Sequence, residues 1–158
     1  MQTTIQHLYK PSNDDNSLFY AWFLAMHTRV DIILCSRKSE GELLLVVNRI
    51  YDALCRLEKM ANFYNPASEL SVVNRTAFVS PVVLSEELYS MIDLCLEYNS
   101  KTLGCFDVTV HSENYNQNTI HSVHLSAGDH SICFSQPGVT INLSGFLKGY
   151  ALETIRGI

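Results

Sequence analysis

Hydrophobic positions change period several times along the chain, and each change marks an element. From Leu18 to Leu34 apolar and aromatic residues dominate, and in the second half Val30 and Ile32 alternate with Arg29 and Asp31. A period of two is the pattern of a strand with one face buried. A long strand is expected there, with a bulge or bend at Ala25-Met26-His27-Thr28. From Leu43 the period becomes helical: Leu43, Val46, Val47, Ile50, Leu54 and Leu57 share one face of a helix running to Met60. Ser39 with Glu42 three residues on is a capping box that opens this helix. Asn65-Pro66 breaks it.

Further on the elements shorten. Ser68 to Asn74 reads as a short helical turn, and Phe78 to Leu84 as a strand interrupted by Pro81, which puts it at an edge. Ser85 caps a helix with Glu86 and Glu87 at its positive end and Leu88, Met91, Ile92 and Cys95 as its buried stripe. Phe106–His111, Thr119–Leu125, Ser131–Phe134 and Val139–Leu143 read as strands, with turns at Ala127-Gly128-Asp129 and Gln136-Pro137-Gly138. Strands and helices arrive in mixed order, which favours an α+β sandwich over a doubly wound sheet. Residues 1–17 are an arm or edge segment, and residues 18–158 form a single domain.

Composition narrows the classes. At 158 residues and 47% hydrophobic content the chain can build one real core. With a net charge of −5 and no basic block, no nucleic-acid partner is expected. The five cysteines are scattered without a Cys-x-x-Cys, as expected of buried thiols in a reducing compartment. No basic and apolar leader opens the sequence, so a cytoplasmic location is expected. The most apolar stretch contains His27, Arg29 and Asp31, and a bilayer centre would penalise each charge by about 2.5 kcal/mol. No membrane partner is expected.

Two stretches offer chemistry. From Thr140 to Glu153 a short apolar segment turns into a helix whose first turns hold Gly145, Lys148 and Gly149. Unpaired N–H groups at a helix start, with a lysine beside them, suit a phosphate. A plain strand-to-helix junction, with glycines for close packing, has the same pattern, and the Walker spacing is absent. In Cys105-Phe106-Asp107-Val108-Thr109, a strand would put Asp107 and Thr109 on one face. There Asp107 could bind a ribose hydroxyl or an amide, or simply face water. His121 and His124 are an odd number apart on a predicted strand and cannot both ligate one ion.

Four segments in order resemble the ApbE family of flavin transferases (FAD:protein FMN transferases). They are Ala25-Met26-His27-Thr28, the stretch Phe63-Tyr64-Asn65-Pro66-Ala67-Ser68-Glu69-Leu70-Ser71-Val72-Val73-Asn74, then Gly104 to Val110, and Asn142 to Glu153. The likeness runs from about Phe19 onward. It implies an α+β, T-fold-like architecture, mostly antiparallel sheet with helices on one face. It also implies FAD as ligand and magnesium-dependent transfer of FMN to a threonine of a flavoprotein acceptor.

Position by position, the resemblance places Met26 and Tyr64 against the flavin nucleotide and Cys105, Phe106 and Asp107 along the FAD site. Asn142 stands where the family has an aspartate, Gly145 where a backbone carbonyl ligates magnesium, and Lys148 where a lysine reaches the cofactor. Lys148 and Asp107 are thereby the implied catalytic pair. His27, Ser144 and Glu153 occupy positions where the family has glycine, glycine and aspartate. The family's C-terminal half, with its aspartate and threonine magnesium ligands, has no counterpart in these 158 residues. The expectation is therefore a chain that resembles a transferase yet does not transfer FMN alone. The alternative is a shortened, non-catalytic flavin-binding or structural subunit. A sheet face left uncovered implies a homo-oligomer.

Overall fold

In the computed structural model, which describes residues 4–12 and 16–158, the apolar run beginning at Leu18 is a hairpin and not one strand. Strand β2 (Ser17–Ala25) pairs antiparallel with β3 (Thr28–Ser36), from Ser17 opposite Ser36 to Ala25 opposite Thr28. The two residues between them, Met26 and His27, have φ of 52° and 56°. A two-residue hairpin turn of this kind needs positive φ at both central residues and normally recruits Asn-Gly. Met-His carries no such signal, so the pattern alone shows one long strand with a bulge or bend at Ala25–Thr28 and not a turn. The edge segment expected near the N-terminus is β1 (Gln6–Lys10), antiparallel to β2. The polar stretch Pro11 to Asn16 reads as a turn, and its residues 13–15 lie outside the described residues.

The chain forms two compact units, Met1–Glu58 with Ala151–Ile158, and Lys59–Tyr150. In the first, the sheet has the order β1-β2-β3. Strand β2 alternates strictly, with Phe19, Ala21, Phe23 and Ala25 buried. Phe23 meets Tyr51 of helix α1 (Glu40–Ala61) edge to face at 5.1 Å. The capping box forms as expected: Ser39 N–H and Oγ donate to Glu42 Oε2 at 2.9 and 2.7 Å. These bonds, the backbone one first, hold the Glu42 carboxyl below its ordinary value. The outward face of the sheet carries Leu8, Leu24 and Ile33, each more than 60% exposed. On the same face Arg29 forks onto Asp31, donates to the Tyr20 hydroxyl at 2.7 Å, and covers the Trp22 ring.

The second unit holds α2 (Glu69–Thr76), β4 (Val82–Val83), α3 (Glu86–Lys101), a 3-10 turn at Thr119–Ser122, β5 (Val123–Ser126), β6 (Ser131–Phe134) and the first turns of α4 (Ser144–Arg156). Its sheet has the order β4-β6-β5, so the Pro81 segment is indeed an edge, though only two residues pair. The mostly antiparallel architecture holds, distributed over two three-stranded sheets. The stripe Leu88, Met91, Ile92 and Cys95 is buried. Burial pushes the Cys95 thiol up to about 12, so it stays protonated and acts as a packing group.

Two expected strands are something else, and a third, Thr119–Leu125, is a strand only from Val123. His121 lies in the 3-10 turn, so strand parity with His124 does not apply to it. Phe106–His111 is a series of turns. The Asp107 carboxylate accepts from its own chain two residues on, the local bond by which aspartate diverts a backbone from a strand. Val139–Leu143 joins no ladder; the backbone groups of Thr140 and Ile141 go to side chains. Ser112 Oγ accepts from Thr140 N–H at 2.9 Å and donates to Thr140 C=O at 3.2 Å. Asn74 takes both backbone groups of Ile141, at 2.8 and 2.9 Å. Full satisfaction of a buried backbone does not require a sheet.

Candidate functional site

The Cys105–Asp107 segment is fixed from the end of α3. Leu103 sits in the left-handed region at φ 53° and Gly104 at φ 81°, and Gly104 N–H reaches back to Asn99 C=O at 2.9 Å. This is a Schellman-type stop with leucine at the position where glycine is usual. Asn99 Nδ2 then donates to Phe106 C=O at 2.7 Å, and Phe106 N–H donates to Thr102 Oγ1 at 3.0 Å. Cys105 is exposed, while Phe106 and Asp107 are half-buried. Asp107 Oδ1 accepts from Thr109 N–H and Oγ1 at 2.7 and 2.6 Å, and Oδ2 accepts from the Tyr115 hydroxyl at 3.1 Å. Desolvation first, then this carboxylate, raises the Tyr115 phenol above its ordinary value.

Asn142 joins this segment to helix α4. Its N–H donates to Val108 C=O at 2.8 Å, and its Oδ1 accepts from Ser144 N–H at 2.9 Å. The side chain therefore satisfies one of the orphan donors at the start of α4. Its amide nitrogen lies 3.5 Å from His111 Nδ1. Gly145 occupies the first turn. A Cβ built at Gly145 or Gly149 meets nothing within 4 Å, so close packing is not what these glycines serve. Lys148, one turn on, is exposed and makes no ion pair with the described residues. Phe146 turns inward to Tyr98 (6.1 Å between rings), which also meets Phe106 (6.3 Å).

Tyr64 is 74% exposed and stands edge to face with Phe63 at 5.2 Å; Phe63 in turn lies 5.6 Å from His111. Tyr64, Cys105, Phe106, Asp107, Asn142, Gly145 and Lys148 thus belong to one unit, tied by the Asn142–Val108 bond and two aromatic contacts. Met26 belongs to the other. Its N–H donates to Glu58 Oε2 at 2.7 Å, and His27 Nε2 lies 3.5 Å from the same carboxylate. A cleft of about 560 Å3 lies along this turn. Glu58 and Asn74 hold the surroundings of two sequence-predicted positions, and nothing in the hydrophobic pattern singles them out. The placement of Asn74 at the end of the Phe63-to-Asn74 motif was the available signal.

Magnesium asks for octahedral oxygen coordination. The candidate here is the Gly145 carbonyl, which helical geometry already aims at the N–H four residues on. Among the described residues no group of three or more His, Cys, Asp or Glu could hold a metal ion. These donors do not by themselves fit magnesium. An anion fits better, with an open helix start and an unpaired lysine one turn along.

The sequence profile of the ApbE family matches residues 26–158. The chain belongs to the ApbE family. It is 26% identical over 130 residues to the FAD:protein FMN transferase of Chlamydia muridarum, covering 69% of this chain and 40% of that protein. Against the Chlamydia pneumoniae protein of the same name the figures are 24% over 144 residues, 78% and 45%. The chain thus spans less than half the length of these curated relatives. Among solved structures, the ApbE protein of Thermotoga maritima superposes with a TM-score of 0.75 at 23% identity, over 89% of this chain and 52% of that one. The flavin transferase ApbE of Vibrio cholerae gives 0.65 at 15%, over 98% and 53%. The ApbE fold is shared at this level of identity.

Proposed function

We propose that this chain is the FAD-binding portion of an ApbE flavin transferase. The reaction is the family's: magnesium-dependent transfer of FMN from FAD to a threonine of a flavoprotein acceptor. The observation that carries the reading is the Asn142–Val108 bond, which sets the Asp107 segment beside the start of α4 within a chain of this family. Lys148 would supply the full charge next to the helix start and neutralise the pyrophosphate. Oδ2 of Asp107, which shares one bond with Tyr115, keeps acceptor capacity for a ribose hydroxyl or ring N–H. The Gly145 carbonyl does not account for the magnesium, so the chain alone binds FAD and transfers nothing.

The test is FAD fluorescence quenching with the purified chain, followed by incubation with FAD, magnesium and a threonine-bearing acceptor peptide. Saturable binding, about tenfold weaker in Lys148→Ala, and no FMN adduct by mass spectrometry are expected; tenfold corresponds to about 1.4 kcal/mol, modest for a charge-assisted contact. Absence of FAD binding up to millimolar concentration would overturn the reading. An adduct formed by the chain alone would overturn the assignment to binding only.

A second role, as a subunit in a homo-oligomer, is favoured by the outward face of the β1-β2-β3 sheet, where Leu8, Leu24 and Ile33 are exposed beside the unpaired edge of β3. A second copy seated on that face would bury Leu8, Leu24 and Ile33. Light scattering at micromolar concentration should then give a dimer, and a monomer after Ile33→Lys. A monomeric parent chain would refute this role.

A further inference from the structure

A cleft of about 480 Å3 lies in the first unit, between the N-terminal end of β1 and helix α1; its walls include Ile5, His7, Leu44, Asn48, Tyr51 and Asp52. The four residues from α1 recur at i, i+4, i+7 and i+8, one stripe of the helix. No residue of β2 contributes to the walls. The cleft therefore opens on the free side of β1, which is an edge of the β1-β2-β3 sheet. Along a strand, backbone N–H and C=O groups face both neighbours, so half of those of β1 lie along this edge with no strand to pair them.

The unspent polar capacity of the cleft is nearly all acceptor. His7 is held already: its ring stacks on Phe19 at 5.1 Å, and its Nε2 donates to Glu40 Oε1 at 3.0 Å. Asn48 Nδ2 donates to Leu44 C=O at 2.9 Å, which leaves its Oδ1 open. Asp52 makes no ion pair or hydrogen bond with the described residues. Asn48 and Asp52 stand four residues apart on α1, so their oxygens are neighbours on one helix face. The Tyr51 ring between them is fixed edge to face on Phe23. No lysine or arginine lines the cleft. Its complement in charge is a cation with several donors, and Ile5 and Leu44 offer apolar surface to that cation's stem.

We propose that this cleft takes an arginine side chain from an extended peptide segment that pairs along the free edge of β1. The backbone of the segment continues the sheet, and its alternate side chains fall on the side that α1 covers. One of them enters the cleft. A guanidinium presents its donors as a planar fork, which spans the Asp52 carboxylate and Asn48 Oδ1 and lies against the Tyr51 ring. Asp52 is exposed, and an exposed ion pair is weak by itself, so the strand pairing supplies most of the affinity and Asp52 the choice of side chain. None of these residues takes part in the flavin reading, and the proposal stands independently of it.

The experiment titrates a capped pentapeptide, Thr-Val-Arg-Val-Thr, into the full nitrogen-15-labelled chain and follows the amide shifts. Saturable shifts are expected at Gln6–Lys10 and at Asn48 to Asp52, with Kd below about 1 mM. Glutamate at the centre of the peptide should abolish them, and norleucine there should weaken binding about fivefold. Asp52→Asn should bring the arginine and norleucine peptides to equal affinity. Its melting temperature should match the parent, because Asp52 is exposed and unpaired. Methylating the amide nitrogens of alternate peptide residues should abolish binding in one of the two registers and spare it in the other, as strand pairing requires. Equal binding of the arginine and glutamate peptides, or an arginine preference that survives Asp52→Asn, would overturn the proposal. So would shifts confined to β3, or none at β1 with peptide in excess. Butylguanidinium binding as tightly as the peptide would show a site for small cations and overturn the strand pairing.

Discussion

Asn74→Ala is expected to lower stability by about 3 kcal/mol, which for a chain of this size corresponds to about 9 °C in melting temperature. The side chain substitutes for a neighbouring strand. Its Oδ1 accepts from Ile141 N–H at 2.8 Å and its Nδ2 donates to Ile141 C=O at 2.9 Å. Ile141 is fully buried, so after the substitution its N–H and C=O have neither protein nor water. Each orphan costs about 1–3 kcal/mol, more than the net worth of the bond that was lost. Asn74→Asp keeps the acceptor and loses the donor, and should fall between parent and alanine variant. Urea denaturation reads both. Equal stability of parent and Asn74→Ala would mean that the 139–143 segment is held by something other than this amide.

Asp107→Ala should have the larger effect on ligand binding. Three donors converge on its carboxylate: Thr109 N–H, Thr109 Oγ1 and the Tyr115 hydroxyl. Bonds to a charged acceptor contribute about 1.5–3 kcal/mol each in favourable settings. Partial exposure reduces this, so about 2 kcal/mol is expected for global stability. FAD affinity should drop at least about thirtyfold, roughly 2 kcal/mol, because the substitution removes a ligand contact and also releases the segment that carries Phe106. Tyr115 provides an independent check. Its folded pKa is raised, so the stability it contributes is complete below the ordinary tyrosine value of about 10 and is lost as pH rises through the folded value. The parent chain should therefore lose stability above about pH 10 more steeply than Tyr115→Phe. Parallel alkaline profiles would show that the Tyr115–Asp107 contact does not form in solution.

Helices were the most legible part of the fold. The stripe from Leu43 to Leu57, the Ser39–Glu42 box and the Ser85 cap are local features, and each formed where the residues pointed. Strands were less legible wherever something other than a ladder satisfied the backbone. The hairpin at Met26-His27 was hidden because neither residue is a usual left-handed former. The segments at 106–111 and 139–143 alternate like strands, but the first is diverted by the bond of Asp107 to Thr109, and the second is held by Ser112 and Asn74, which lie far away in sequence. Asp107, Gly145 and Lys148 could be singled out from local pattern, whereas Met26, Tyr64, Cys105, Phe106 and Asn142 could be named only through the family motifs. Thr140 and Glu58 belong to no periodic pattern, and their surroundings exist only once the chain has folded.

The central claim is that the second unit binds FAD along the Asp107 segment and the start of α4. Amide chemical-shift mapping of the full chain during FAD titration tests it most directly, since it reads location as well as affinity. The account predicts progressive shifts clustered at Tyr64, Cys105 to Thr109 and Asn142 to Gly149, with the β1-β2 pairing in the first unit unmoved. Shifts confined to the β1-β2-β3 sheet, or none with FAD in excess, would contradict it.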